Sequence, residues 1–111
     1  MTTINLCTTD EVRDGAVFRK RVSGVGEIAV ARLSDGSAYV AFEPRCPHAL
    51  GPLAEGKRRG DVIVCPWHFF PFDLKTGKVP GATSILELRR YPVTVKDDQI
   101  FIETDSQKQM G

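Results

Sequence analysis

The sequence predicts an all-β protein, an antiparallel β-sandwich base into which a loop-rich subdomain is inserted. Short segments rich in β-branched and aromatic residues lie towards both ends of the chain and partly alternate in polarity, as half-buried strands do. No segment carries a long 3.6-residue apolar periodicity, so no long helix is expected. Between positions 44 and 81, six prolines and five glycines are spaced too closely for long regular elements.

The first half of the base is predicted to contain an N-terminal strand followed by strands at residues 17–22, 28–33 and 38–42. Ser34-Asp35-Gly36 is expected to join the last two as a hairpin turn, because glycine tolerates a positive φ. Residues 10–13 are expected to form one helical turn, capped by Thr9 or Asp10 and stopped by Gly15.

The second half of the base is predicted to be a hairpin of residues 91–96 and 99–103 around Asp97-Asp98. Within the insertion, only residues 61–64 and 70–73 have the character of strands. Because side chains two residues apart in a strand share a face, the buried face of the hairpin is expected to hold four aliphatic residues. These are Val93, Val95, Ile100 and Ile102.

The chain of 111 residues is expected to form one domain, with the base at 1–43 and 82–104 and the inserted subdomain at about 44–81. This length allows a sizeable core without disulfides. Residues 105–111 are mostly polar and are expected to be a disordered tail.

Composition and charge exclude several classes of function. A net charge of +1 gives no reason to expect nucleic acid or an anionic membrane as a partner. No apolar run approaches the roughly 20 residues of a membrane helix, and no secretory signal is visible at the N-terminus. Three cysteines, an odd number, argue against a disulfide framework. We therefore expect a cytoplasmic protein.

Two short clusters in the insertion contain both histidines and two of the three cysteines. They read Cys46-Pro47-His48 and Cys65-Pro66-Trp67-His68, with sixteen residues between His48 and Cys65. Two sulfur and two nitrogen donors on paired loops suit a tetrahedral zinc ion. They equally suit an iron–sulfur centre in which two histidines replace two cysteines on one iron. The candidate ligands are Cys46, His48, Cys65 and His68.

The spacing of the donors favours iron over the alternatives. Buried cysteines and hydrogen-bonded histidines are common, but chance rarely places four such residues in two proline-stiffened loops. Structural zinc sites usually separate paired ligands by two to four residues, which Cys65-x-x-His68 satisfies and Cys46-x-His48 does not. A one-residue gap is awkward around a single ion, whereas it suits two side chains that reach different irons. Zinc stays open as the rival.

The two clusters resemble the Rieske 2Fe–2S motif, C-x-H followed by C-x-x-H. Residues 72–77, with the sequence FDLKTG, resemble the F-D-x-x-T-G segment of bacterial Rieske ferredoxins, and Tyr91-Pro92-Val93 resembles a segment near their end. The resemblance spans residues 15–103, approximately. It implies a Rieske-type fold and one 2Fe–2S cluster per chain, with a third loop at 79–81. Cys46 and Cys65 would bind one iron, and His48 and His68 the other.

The chain departs from the family pattern at five positions. Phe69 stands where the family commonly has glycine after the second histidine. High-potential respiratory members have a cysteine in each ligand loop, but the matching positions here are Gly51 and Trp67. Those members also donate serine and tyrosine hydroxyls from the positions of Phe70 and Phe72. The resemblance therefore implies the low-potential, ferredoxin-like branch.

The resemblance implies a soluble one-electron carrier that is not an enzyme on its own. Its donor would be a flavoprotein ferredoxin reductase, and its acceptor a terminal oxygenase or the catalytic subunit of another oxidoreductase. The alternative is the small Rieske subunit of an assimilatory nitrite reductase-like enzyme. A catalytic oxygenase chain is excluded because its non-haem iron needs two further histidines and a carboxylate.

Two other features of the sequence have structural interpretations. Lys57-Arg58-Arg59, between the clusters, is expected to be a solvated turn, with a docking patch for an acidic partner as the alternative. Cys7, in the first strand, is expected to be a small buried apolar residue. The aromatic residues that follow the second cluster are expected to form a small core beneath the metal centre. They are Trp67, Phe69, Phe70 and Phe72.

Overall fold

The structure is a computed structural model that describes residues 2–13, 15–34, 36, 38–45, 52–66, 71–80 and 87–104. Within these residues the chain forms ten short strands and two single-turn 3-10 helices, which confirms the all-β prediction. The strands are β1 (Thr2–Thr8), β2 (Val17–Val22), β3 (Gly26–Arg32), β4 (Tyr39–Phe42), β5 (Lys57–Arg59), β6 (Val62–Val64), β7 (Pro71–Asp73), β8 (Arg90–Tyr91), β9 (Val93–Lys96) and β10 (Gln99–Thr104). The 3-10 helices are Thr9–Glu11 and Leu53–Glu55.

The strands form three antiparallel sheets in layers. The outer sheet has the order β1-β10-β9, the central sheet β2-β3-β4-β8 and the small sheet β5-β6-β7. Strand β3 belongs to two separate cores: Ala29 and Ala31 join the core shared with the small sheet. Ile28 and Val30 join the core shared with the outer sheet. The central sheet is therefore covered on both faces.

Small and large side chains are paired across the central sheet. Ala29 lies opposite Phe42, and Ala31 opposite Val40, all in the core on the side of the small sheet. On the other face, Val30 lies opposite Ala41. Pairing a large residue with a small one keeps the volume of each cross-strand pair similar, which allows close packing on both faces.

The predicted strand at residues 91–96 is wrong in one respect, because it is divided between two sheets. Strand β8 pairs with β4 in the central sheet, whereas β9 pairs with β10 in the outer sheet. Pro92 lies between them and has no N–H to donate to a ladder. Its carbonyl accepts a hydrogen bond from the N–H of Glu103 at 3.1 Å.

Both predicted hairpin turns are present. Asp97 and Asp98 have φ angles of +52° and +62°, and a type I′ turn requires positive values at both central residues. In the first hairpin, the N–H of Gly36 donates to the Leu33 carbonyl at 2.8 Å, and Gly36 has a φ of +74°. Asp35 of that turn lies outside the described residues.

The predicted buried face of the β9–β10 hairpin is only partly correct. The register aligns the four residues, pairing Val95 with Ile100 and Val93 with Ile102. Both isoleucines are fully buried, whereas Val95 is 47% exposed. Because β9 is the edge strand of the outer sheet, the core does not reach Val95.

The predicted helical turn begins one residue earlier than expected, as the 3-10 helix Thr9–Glu11 with Thr8 at its N-cap. The Glu11 carboxylate accepts a hydrogen bond from the N–H of Thr8 at 2.9 Å. A glutamate at this third helical position often bonds back to the N-cap in this way. The predicted tail at 105–111 lies outside the described residues.

Arg58 attaches the small sheet to the base. Its side chain is only 5% exposed. It donates to the carbonyl of Gly60 at 2.8 Å, to that of Ala16 at 3.1 Å and to that of Arg32. The prediction of a solvated turn at Lys57–Arg59 is therefore wrong. The segment is strand β5, and Arg58 is used inside the molecule.

Asp61 completes this attachment. Its carboxylate accepts hydrogen bonds from the backbone N–H of Ser34 at 2.7 Å and the Ser34 hydroxyl at 3.1 Å. It also forms ion pairs with Arg58 at 3.6 Å and Lys75 at 3.5 Å. The backbone hydrogen bond from Ser34 is the largest cause that lowers the pKa of Asp61 below its ordinary value of 3.8. This network, the Arg58–Asp61 clasp, joins the small sheet to the β3–β4 turn.

The clasp predicts an acid-sensitive part of the stability. A carboxyl group whose pKa is lower in the folded state contributes stability above its unfolded pKa, and that contribution is lost as the pH falls through the folded pKa. Asp61→Asn should lower the free energy of unfolding at pH 7 by about 1 to 3 kcal/mol. As the pH falls from about 5 to about 2, the variant should also lose less unfolding free energy than the wild type does. Urea unfolding followed by circular dichroism measures both.

Asp10→Asn is the control, because Asp10 is exposed. Its unfolding curves should follow those of the wild type at every pH. Equal loss of stability on acidification in Asp61→Asn and wild type would contradict the role of this carboxylate.

Candidate metal centre

Contacts between described residues close the two segments that contain the candidate ligands. The N–H of Ala54 donates to the carbonyl of Pro44 at 3.1 Å, which closes the segment containing Cys46 and His48. In the small sheet, Val64 pairs with Pro71, which closes the segment at 65–70.

The segment between Lys78 and Glu87 is closed in the same way. Lys78 and Glu87 form an isolated antiparallel bridge, and their side chains lie 3.8 Å apart as an ion pair. Val79, the first residue of the predicted third loop at 79–81, is buried in the same core as the small sheet, and Gly81 lies outside the described residues.

The three loop bases are connected to one another. The N–H of Asp73 donates to the carbonyl of Lys78 at 2.8 Å, and the N–H of Glu43 donates to the carbonyl of Arg89 at 2.9 Å. The first bond joins the second and third loops, and the second bond joins the third loop to the strand that precedes the first. All three loops therefore start from one connected scaffold.

Gly56 brings the first and second loops together. A Cβ atom at this position would lie 1.9 Å from the carbonyl oxygen of Val64, a distance that no side chain tolerates. Val64 is the residue before Cys65. The chain that returns from the first loop thus passes directly against the backbone that carries a candidate ligand, and only glycine permits this approach.

Cys65 is the one candidate ligand among the described residues. It directly follows β6 and is fully buried, in the core that also contains Leu53 and Phe72. Cys46, His48 and His68 lie outside the described residues. Among the residues that are described, no three cysteine, histidine or acidic side chains are grouped as a metal site.

The residues present fit an iron–sulfur cluster. Cys65 supplies a sulfur that apolar neighbours shield from water, a setting that controls the dielectric and the potential of such centres. By sequence, the loops on the same scaffold contribute one further thiol and two imidazoles. Thiolates with two imidazoles are the ligands of a Rieske-type cluster.

The segment at 72–77 has a structural role. The Asp73 carboxylate accepts from the N–H of Lys75 at 2.8 Å, and the Thr76 hydroxyl oxygen accepts from the N–H of Lys78 at 3.1 Å. Gly77 has a φ of +79° and its N–H donates to the Asp73 carbonyl at 2.6 Å. Aspartate, threonine and glycine in this order thus build the tight turn between the second and third loops.

The predicted burial is confirmed for Phe72 and for Cys7. Phe72 is fully buried in the core that holds Cys65, while the other predicted aromatic members, Trp67, Phe69 and Phe70, lie outside the described residues. Cys7 is buried in the core on the other face of the central sheet. Burial, and after it the charge of Glu11, raise the pKa of the Cys7 thiol to about 11, so the thiol is protonated at neutral pH.

Sequence reasoning missed the roles of Gly56, Arg58 and Asp61. The three-residue spacing of Arg58 and Asp61 was the available signal for an ion pair. Gly56 carried no signal, because the carbonyl that approaches it belongs to Val64, eight residues away. In the described parts of the chain, no helix is long and apolar enough to cross a membrane.

The chain is thus an all-β protein in which Cys65 and the ends of the segments that contain the other candidate ligands belong to one connected scaffold. Residues 2–92 match the Rieske [2Fe-2S] domain. The chain is 32% identical over 101 residues to the ferredoxin component of the p-cumate 2,3-dioxygenase system of Pseudomonas putida, covering 90% of this chain and 84% of the relative. It is 34% identical over 109 residues to the 3-phenylpropionate/cinnamic acid dioxygenase ferredoxin subunit of Photorhabdus laumondii, covering 97% and 100%.

Solved structures agree with these relatives. A chain from the complex of reduced oxygenase and oxidized ferredoxin in carbazole 1,9a-dioxygenase has a TM-score of 0.78 and 29% identity, covering 90% of this chain and all of that one. A protein described as the small subunit of an NADPH nitrite reductase has a TM-score of 0.75 at 21% identity, covering 94% and 100%. The second likeness shows the fold alone.

The chain therefore belongs to the Rieske [2Fe-2S] domain family, and its cofactor is a Rieske-type 2Fe–2S cluster. The two relatives described above, at 32% and 34% identity, are ferredoxin components of dioxygenase systems. The protein is accordingly an electron carrier rather than a catalytic chain. These relatives favour the oxygenase ferredoxin interpretation over the nitrite reductase subunit.

The contact at Gly56 predicts that Gly56→Ala disturbs the metal centre. The added methyl group must displace either the first loop or the strand that leads to Cys65. We expect a loss of unfolding free energy of about 3 kcal/mol or more and less iron and visible absorbance per chain. Urea unfolding and iron analysis measure the two effects.

Gly60→Ala is the control. A Cβ at Gly60 meets nothing within 4 Å, but the φ of +58° carries a backbone cost of about 1 to 2 kcal/mol. This variant should keep its iron. Full iron content in Gly56→Ala would show that the close approach does not support the centre.

Proposed function

We propose that Cys46, His48, Cys65 and His68 hold the cluster, with the two cysteines on one iron and the two histidines on the other. The chemistry of the donor set, the burial of Cys65 and the connected loop bases support this assignment. When bound, the cluster takes up and releases one electron at a time. The protein's task is to hold it, shield one side and leave a route for electrons.

We further propose that the inserted subdomain, about 44–81, binds the cluster, and that residues 1–43 and 82–104 form the base. Two observations support this division. The small sheet lies entirely within the insertion, and the hydrogen bond from Ala54 to Pro44 closes its first loop at the proposed boundary. The base then supplies the outer and central sheets as a support.

The donor set gives the centre a potential above that of four-cysteine ferredoxins. An oxidised 2Fe–2S core carries two positive charges, so two thiolates make the site neutral and reduction adds a single negative charge. Four thiolates would place the same electron on a site that is already doubly negative. Rieske centres accordingly lie at roughly −150 to +300 mV, against about −400 mV for plant-type ferredoxins.

Two phenylalanines favour a potential towards the low end of the Rieske range. A hydroxyl that donates to a cluster sulfur stabilises the reduced state, and the side chains of Phe70 and Phe72 have none. Phe72 is fully buried in the core of Cys65. The described core that contains Cys65 is thus built from apolar side chains.

The proposed role is a cytoplasmic shuttle that carries electrons from a flavoprotein ferredoxin reductase to a terminal oxygenase. The observation that carries it is the match, over almost the whole of both chains, to a dioxygenase ferredoxin subunit. A ferredoxin of the carbazole 1,9a-dioxygenase system in complex with its oxygenase is consistent with it.

The ligand assignment predicts two irons and two acid-labile sulfides per chain. The reduced protein should give a rhombic EPR signal with an average g value below that of four-cysteine ferredoxins. Cys65→Ser should lose the cluster, because it removes one of the two thiolates. Iron and sulfide analysis with visible and EPR spectroscopy measures this.

Cys7→Ser is a matched control, since both cysteines are buried and the substitution is the same. Its iron content and spectrum should equal those of the wild type. Stoichiometric zinc without inorganic sulfide, or bleaching by Cys7→Ser, would overturn the assignment.

The shuttle role predicts that the purified protein is a monomer that dithionite reduces and air reoxidises without any other chain. Size-exclusion chromatography and redox titration test this. A bound enzyme subunit would instead co-purify with a large catalytic chain from its native host. That result would favour the nitrite reductase type of assembly.

A further inference from the structure

A groove of about 570 Å³ opens beside the strand that leads to Cys65. Val64 and Pro66, the two neighbours of Cys65 in the chain, form its apolar part. The remaining lining comes from strand β5 and the residues before it. The described lining is Glu55, Gly56, Lys57, Arg59, Val64 and Pro66.

The rim of this groove carries uncompensated positive charge. The carboxylate of Glu55 is paired with Arg19 at 3.3 Å. Lys57 and Arg59 are exposed, and among the described ion pairs neither has a partner. The groove thus presents two free cations in a chain whose net charge is only +1.

The alternation of β5 separates two uses of its basic residues. Side chains of successive strand residues point to opposite faces. Arg58 points into the molecule, where its guanidinium bonds to the base, whereas Lys57 and Arg59 remain on the groove side. The positive charge at the groove is therefore not required by the Arg58–Asp61 clasp.

We propose that this groove is the docking site for an electron-transfer partner that presents carboxylates around an apolar side chain. The carboxylates pair with Lys57 and Arg59, and the apolar group covers Val64 and Pro66. The partner then contacts Val64 and Pro66, the two residues that flank Cys65 in the chain. This inference rests on the proposed function, since it assigns the partner's chemistry to the proposed electron carrier.

The positive sign of the charge at Lys57 and Arg59 distinguishes docking of a partner from a second role of charged residues on edge strands, which is to prevent pairing with other chains. β5 is an edge strand of the small sheet, and charged side chains on an edge hinder pairing with other chains. A glutamate hinders such pairing as well as a lysine does. Docking of carboxylates, in contrast, requires positive charge.

The test uses flavodoxin hydroquinone, an acidic flavoprotein donor, to reduce the oxidised cluster-loaded protein in a stopped-flow instrument. The second-order rate constant of the wild type should fall as sodium chloride is added, because salt screens the attraction. At low salt, Lys57→Glu and Arg59→Glu should each lower it about fivefold. Oxidation of the reduced protein by the cation hexaammineruthenium(III) should become faster in both variants.

Lys96→Glu is the matched control. It makes the same change in net charge on an exposed residue of another edge strand, β9, in the outer sheet. Its rate constant should stay within about twofold of the wild type. An equal fall in Lys96→Glu would mean that net charge rather than the groove attracts the partner, and unchanged rates in the groove variants would also overturn the inference.

The outcomes also distinguish this inference from the proposed function. A wild-type protein that dithionite reduces but that flavodoxin hydroquinone reduces without any dependence on salt overturns the docking site alone. A wild-type protein that holds no 2Fe–2S cluster overturns the proposed function itself, and the docking site with it.

Discussion

Burial of both faces of the central sheet is the constraint on which the rest of this structure depends. Strand β3 presents alanines to the core that contains Cys65 and larger aliphatic residues to the core of the outer sheet. Each fully buried Leu, Ile, Val or Phe side chain contributes about 1.5 to 3 kcal/mol, so each of the two cores stabilises the sheet between them. Strand β3 contributes side chains to both cores. The packing of the small sheet and the packing of the outer sheet against the central sheet are therefore stabilised together.

The apolar layers alone do not fix where the small sheet lies on the base, since apolar contacts have no direction. The Arg58–Asp61 clasp supplies directed contacts to backbone groups of the base at Ala16, Arg32 and Ser34. These groups are largely buried, so losing one partner would leave the other charge without compensation. Strand β6 follows Asp61 directly and leads to Cys65. The same polar contacts therefore position the strand that leads to the proposed ligand Cys65.

The two faces of the three-residue strand β5 have different roles: one contacts the interior of the protein and the other lines the proposed docking groove. Arg58 serves the interior, while Lys57 and Arg59 serve the proposed docking groove beside Val64 and Pro66. A centre that two imidazoles make nearly neutral does not itself attract a charged partner strongly. The charge of the surrounding protein surface then decides which partners approach and at what rate.

The local features of this chain follow from its residue types alone. The donor motif, strand β2 and the Asp97-Asp98 turn depend on residue types at short spacings, and they could be predicted without knowledge of distant contacts. Four other features could not be predicted in this way. They are the exposure of Val95, the break that Pro92 makes between two sheets, the inward position of Arg58 and the need for glycine at position 56. Each depends on which segment lies opposite: an open sheet edge, a second sheet, the base, or the carbonyl of Val64. Only the tertiary structure brings those segments together, because the free energy that selects their arrangement comes from burying two cores at once rather than from any one stretch of chain.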